Sequence, residues 1–248
     1  VYDKPYLNKV KVASNDEYGV NPFSYQKVVN DLNKIDDKRK VIIFVHWGKE
    51  NVWFPPYENI VLAKKLLELN KVHSVIGSHP HRIQGKIKHH GKIAYFSLGN
   101  FLFPNFFIEP KTNLVYPANQ EKKYKITKEY HPVFSLTKKK WKYSNRISMM
   151  LLLDEDSDEF QEIFVKQHRH LPILISLNFI ENITVILFFK ILSSINKIPK
   201  TFYILIQQFS YFFDKLIKLM NLFIFYFLKE KNLKGVMDLI NLKNLRKF

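Results

Sequence analysis

Cysteine is absent from the 248 residues, which excludes disulfides, thiolate zinc sites and cysteine nucleophiles. Any metal would have to be held by His, Asp, Glu or Asn. Glycine is scarce: there are seven, and six of them precede residue 104. Acid is short as well, with 22 Asp+Glu against 39 Lys+Arg and a formal charge of +17. In the C-terminal third the longest uncharged stretch, Thr201 to Phe213, is too short to cross a bilayer. The chain opens Val1-Tyr2-Asp3 with neither a charged n-region nor an apolar h-region, so no signal peptide is visible and it reads as the C-terminal portion of a longer protein. P-loop, dinucleotide-fingerprint and nucleophile-elbow patterns are missing too. What is present is apolar material for a core, at 46% hydrophobic and 15% aromatic residues, which rules out a disordered chain.

The positive charge is spread: residues 171–248 carry 11 basic and 4 acidic side chains, and residues 1–170 carry 28 and 18. Lys138-Lys139-Lys140 sits in no longer basic run. Scattered lysine disfavours nucleic acid and fits an anionic membrane surface or an anionic polymer as partner.

Periodicity organises the first 170 residues as α/β. Tyr25, Val28, Val29, Leu32 and Ile35 recur at helical steps behind a Ser24 N-cap. Val41–Val45 is a short β-branched run, as expected of a parallel or mixed-sheet strand buried on both faces. A second helix is expected over about Asn59–Leu69, with Ile60, Ala63, Leu66 and Leu67 inward. A strand at Val72–Ile76, closed by Gly77, follows. Lys86–His89 and Lys92–Ser97 form a hairpin about His90-Gly91. The acidic group Asp154, Glu155, Asp156 and Asp158 reads as a solvated turn between two strand-like runs. Residues 171–248 read as a basic, apolar, all-helical appendage, with blocks near 173–195, 201–220 and 219–234. Their apolar stripes and interspersed lysines suit an interfacial membrane helix more than a span.

Histidine carries the chemistry. His46 directly follows one strand, and His79 and His81 follow the next, inside Gly77-Ser78-His79-Pro80-His81. In open α/β sheets the carboxyl ends of strands form the ligand crevice. Gly48 and Gly77 suit tight turns there, and Pro80 restricts His79 to extended backbone. Three imidazoles so placed suit a divalent metal such as Zn, Mn or Fe. His89-His90 reads as a surface turn, and Trp47, Trp53 and Phe54 as core or cleft wall. Asp3, Asp16 and Glu17 are the nearest early carboxylates, with no motif around them.

Three segments occur in order: His46-Trp47-Gly48-Lys49-Glu50, Gly77-Ser78-His79-Pro80-His81 and Ser97-Leu98-Gly99-Asn100-Phe101-Leu102-Phe103. Over roughly residues 10–165 the set resembles the CapA family of bacterial capsule synthesis proteins, associated with poly-γ-glutamate and other capsular polymers. The resemblance implies a calcineurin-like metallophosphoesterase layered sandwich, N-terminally truncated here, with His46, His79 and His81 as metal-binding residues and Glu50 and Asn100 near the cleft. It implies a role in capsule or surface-polymer biosynthesis, with metal-dependent hydrolysis as the reaction type. The anionic capsular polymer or its precursors would be the partner. The alternative is a non-catalytic, membrane-associated component of a membrane-bound synthesis complex. One departure matters. The family's early Gly-Asp, its following acidic or Asn motif and its Asn-Asn-His motif have no counterpart, so half a two-metal site is expected, inactive by itself.

Overall fold

The structure, a computed structural model, describes residues 11–14, 17–108, 137–154, 156–213 and 216. The expectations over 219–234, and those for Asp3, Asp16 and Glu155, lie outside the described residues.

The first helix, α1 (Tyr25–Leu32), starts where Ser24 accepts a hydrogen bond from the Lys27 amide and turns Val28 and Leu32 inward. Strand β1 (Val41–His46) leads through α2 (Tyr57–Leu67) to β2 (Val72–Ser78), a βαβ unit with β1 and β2 parallel. The anticipated residues of α2, Ile60, Ala63, Leu66 and Leu67, are all buried. Each large aliphatic side chain there contributes roughly 1.5–3 kcal/mol. Strands β3 (Lys86–His89) and β4 (Lys92–Tyr95) form the hairpin, with His90 at φ 49° and Gly91 at φ 75°, the positive φ that a tight hairpin turn requires.

The sheet order is β1-β2-β4-β3, with β4 parallel to β2. Among the described residues β1 is thus an edge strand. Ile43 and Val45 enter the core while Phe44, on the opposite face, is 64% exposed. Burial on both faces, expected from the apolar run, is corrected here. A continuous apolar stretch describes the strand's composition, and the layers packed on the sheet decide which of its faces is covered.

Two cores flank this sheet, and β4 shows why: Ala94 and Phe96 face α1 and α2, while Tyr95, with Ile93 beside it, faces the other way. The second core is closed by β7 (Ile147–Asp154), β8 (Glu159–Gln167) and β9 (Leu174–Ser176), an antiparallel sheet of order β7-β8-β9. A small pair, β5 (Phe106–Ile108) with β6 (Thr137–Lys139), and the short helix α3 (Tyr143–Arg146) precede it. The result is mixed α/β, as expected.

Two details differ from expectation. Residues 174–176 form β9 and pair with β8, so helix α4 (Phe179–Ile195) begins later, behind an Asn178–Glu181 capping box. An apolar run so short carries no period, and an available sheet edge decides it. The acidic turn is also more than solvated. Asp154 Oδ1 accepts the Asp156 and Ser157 amides, and Asp158 pairs with Lys40 and His73 across to the first sheet. A further helical stretch, 200–213, follows α4, and Tyr203 from it is fully buried.

Candidate metal centre

The parallel pairing of β1 with β2 sets His46 opposite Ser78, so the two strand ends deliver His46 and His79 to one place. Their ring centroids stand 4.4 Å apart, and those of His79 and His81 6.0 Å. Glu50, His79 and His81 each offer a ligand atom, and the three atoms lie within 4.8 Å of one another. His46 stands beside this trio without belonging to it. Glu17 is at the surface, paired with Lys11.

Asn100 has a definable part. Its Nδ2 donates to the Asn145 carbonyl at 3.0 Å, so its Oδ1 faces His81 Nδ1 at 2.6 Å. In neutral His81 the proton therefore sits on Nδ1 and Nε2 presents its lone pair, the orientation a ligating histidine needs. Asn145 Nδ2 in turn donates to the His81 carbonyl at 2.8 Å and to Asn51 Oδ1 at 2.9 Å, while the Asn51 amide donates to the Pro80 carbonyl. Three loops are tied together by one buried amide. Trp141 and Phe103 flank the His81 ring, at 5.1 and 5.6 Å between centroids.

Strain gathers at the same place. Asn51 (φ 60°), His79 (φ 99°), His81 (φ 57°) and Phe101 (φ 56°) all take positive φ, which side-chain-bearing residues seldom adopt. Such positions cost about 1–3 kcal/mol each and persist only where the surroundings over-determine them. Extended geometry at His79, expected from Pro80, is overturned. Proline excludes the right-handed helical region before it, and the sharp exit from β2 takes positive φ instead.

The two glycines also divide. Gly48 has φ 83°, as a tight turn requires. Gly77 lies within β2, where a Cβ would come 2.1 Å from the Phe96 carbonyl oxygen and 2.3 Å from Trp47 Nε1. Those two atoms share a buried hydrogen bond of 3.0 Å. Gly77 is needed for space, and Trp47, core wall as expected, anchors the residue next to His46.

Burial holds His46 and His79 neutral. His46 is pushed down to about 4, by burial first and then by the charge of His81. His79 is pushed down to about 3, by burial and then by His46 and His81. A cation binds the neutral imidazole, so no proton need be displaced from His79 at neutral pH. Two imidazoles and one carboxylate form a donor set suited to a borderline divalent ion with an open position. Among the described residues Glu50 is the one carboxylate in this trio, fewer than a paired-metal centre needs.

Sequence reasoning missed Asn51 and Asn145, whose partners lie 94 and 64 residues apart in the chain. It also missed that Glu68 meets His89 and His90, forming a second His/Glu group at the hairpin tip. No spacing signal joins such distant residues.

Comparison with known proteins finds similarity in the N-terminal part of the chain. Residues 2–105 match the model of the bacterial capsule synthesis protein PGA_cap family. The capsule biosynthesis protein CapA of Bacillus anthracis is 27% identical over 97 residues, which is 37% of this chain and 23% of that protein. The chain thus spans about a quarter of the length of that curated relative.

Proposed function

We propose that this chain, which over residues 2–105 is similar to bacterial capsule synthesis proteins, is a CapA-family protein that serves capsule or surface-polymer assembly and holds one divalent cation at Glu50, His79 and His81. The observation that carries the reading is the convergence of these three ligand groups, with Asn100 presenting Nε2 of His81. When bound, such an ion lowers the pKa of water and polarises a phosphoester or amide toward hydrolysis or transfer. The chain's own residues do the rest. Asn100 and Asn145 hold His81 in one tautomer, and Phe103 and Trp141 wall the site on that side. His46, neutral and beside His79, adds no positive charge where the cation would sit.

The reading includes a metallophosphoesterase-like sandwich, for which the two layered sheets and the flanking helices speak. An anionic capsular polymer such as polyglutamate, or its precursor, fits the +17 charge as partner. Elemental analysis after purification tests it. The wild type is expected to retain about one Mn, Fe or Zn ion per chain, as a three-ligand site with an open position would. Glu50→Gln and His81→Ala should each retain less. Equal metal in all three proteins would overturn the assignment, whatever the activity.

A further inference from the structure

Helix α4 and the stretch 200–213 each bury one side and leave another apolar. Val185, Phe189 and Leu192 of α4 enter the two cores. Tyr203 is fully buried and its hydroxyl donates to the Pro55 carbonyl at 2.6 Å. Docking onto the α/β layers is therefore complete without the opposite faces. Those faces are nevertheless apolar at helical steps. Ile180, Leu187 and Ile191 line one, and Phe202, Phe209 and Phe212 the other. Ile180 is 76% exposed and Phe209 65%. Isolated exposed apolar residues are ordinary, but two consecutive helices presenting stripes mark an interaction surface.

We infer that these two helical faces form a docking surface for an anionic lipid bilayer, on which the helices lie without crossing. Among the described residues no helix is long and apolar enough to span. The charge around the stripes selects the occupant. Residues 171–213 carry Lys190, Lys197 and Lys200 against Glu181 alone. Glu181 is held by Lys166 and by the Tyr143 hydroxyl, so its charge is already compensated. Lys190 falls three residues after Leu187 and one before Ile191, at the edge of the stripe. A protein interface would be enriched in Tyr, Trp, Phe, Met and Arg and depleted in Lys, so it is the lysines that discriminate. Here the exposed residues are Phe, Ile and Leu with a lysine rim, the composition of an interfacial helix. The surface uses no residue of the Glu50–His79–His81 group, so this inference stands apart from the metal reading.

The test is co-sedimentation of the full chain with vesicles of equal parts phosphatidylglycerol and phosphatidylcholine, beside vesicles of phosphatidylcholine alone. Binding to the anionic vesicles is expected to exceed binding to the neutral ones by about tenfold or more and to weaken by a similar factor at high salt, because each lysine adds attraction that screening removes. The double variants F202S/F209S and K190E/K197E, all at exposed positions, should keep the wild-type circular dichroism and lose that binding. Equal pelleting of wild type and both variants would overturn the proposal. So would absence of vesicle binding, including the case where F202S/F209S instead abolishes self-association in solution. Metal content is expected to be unchanged in both variants, so a failure here leaves the metal reading standing.

Discussion

Replacing Gly77 by alanine should unfold this protein at a markedly lower temperature, and the size follows from the contacts. The new methyl would fall 2.1 Å from the Phe96 carbonyl oxygen and 2.3 Å from Trp47 Nε1. Both are buried, and one is backbone, so neither can swing aside as a flexible side chain could. The 3.0 Å hydrogen bond between them must open. Leaving a buried donor and acceptor without partners costs about 1–3 kcal/mol. Forcing one carbon into a filled core costs about 1–3 kcal/mol more. A total of about 2–6 kcal/mol is a large share of the 5–15 kcal/mol that typically holds a folded domain. At about 2–4 °C per kcal/mol for a chain of this size, Tm should drop by about 4–24 °C. Gly91→Ala is the control, since Gly91 has φ 75° with no atom within 4 Å of the built Cβ. It meets only left-handed strain of about 1–2 kcal/mol. Thermal melts followed by circular dichroism in chelator, to remove any metal effect, measure both. A Gly77→Ala melt within about 2 °C of wild type, or no lower than that of Gly91→Ala, would refute the steric argument.

Two further outcomes follow from the site. Asn145→Ala removes the bonds to Asn51 and to the His81 carbonyl from a residue only 2% exposed, so urea titration should show a loss of about 1.5–3 kcal/mol; wild-type stability would show that the three loops hold without it. Burial keeps His46 and His79 at about 4 and about 3, below the ordinary 6.5. The unfolded chain therefore takes up more protons than the folded one as pH falls through that interval, and stability declines with it. The expected Tm of the metal-free protein is flat above about pH 7 and falls from about 6.5 toward 4, more steeply than that of His79→Gln; parallel profiles would show that these histidines do not set the slope.

What the sequence determined by itself was local. The α1 cap at Ser24, the inward residues of α2, the β2 strand and the His90-Gly91 turn all rest on period, capping or φ preference, which act within a few residues. The three histidines were legible for the same reason, because strand ends at carboxyl edges are visible as apolar runs that stop. Tertiary structure decided the rest. It left Phe44 exposed on one face of β1, because what covers a face is set by packing between distant segments. It paired residues 174–176 with β8, where an aperiodic run allowed strand or helix. It gave Gly77 its reason, which is the Phe96 carbonyl and not a turn. Above all it brought Glu50 to His79 and His81 and tied Asn51, Asn100 and Asn145 behind them. Side-chain geometry of that kind depends on which loops the packed sheets bring together, and no spacing along the chain encodes it.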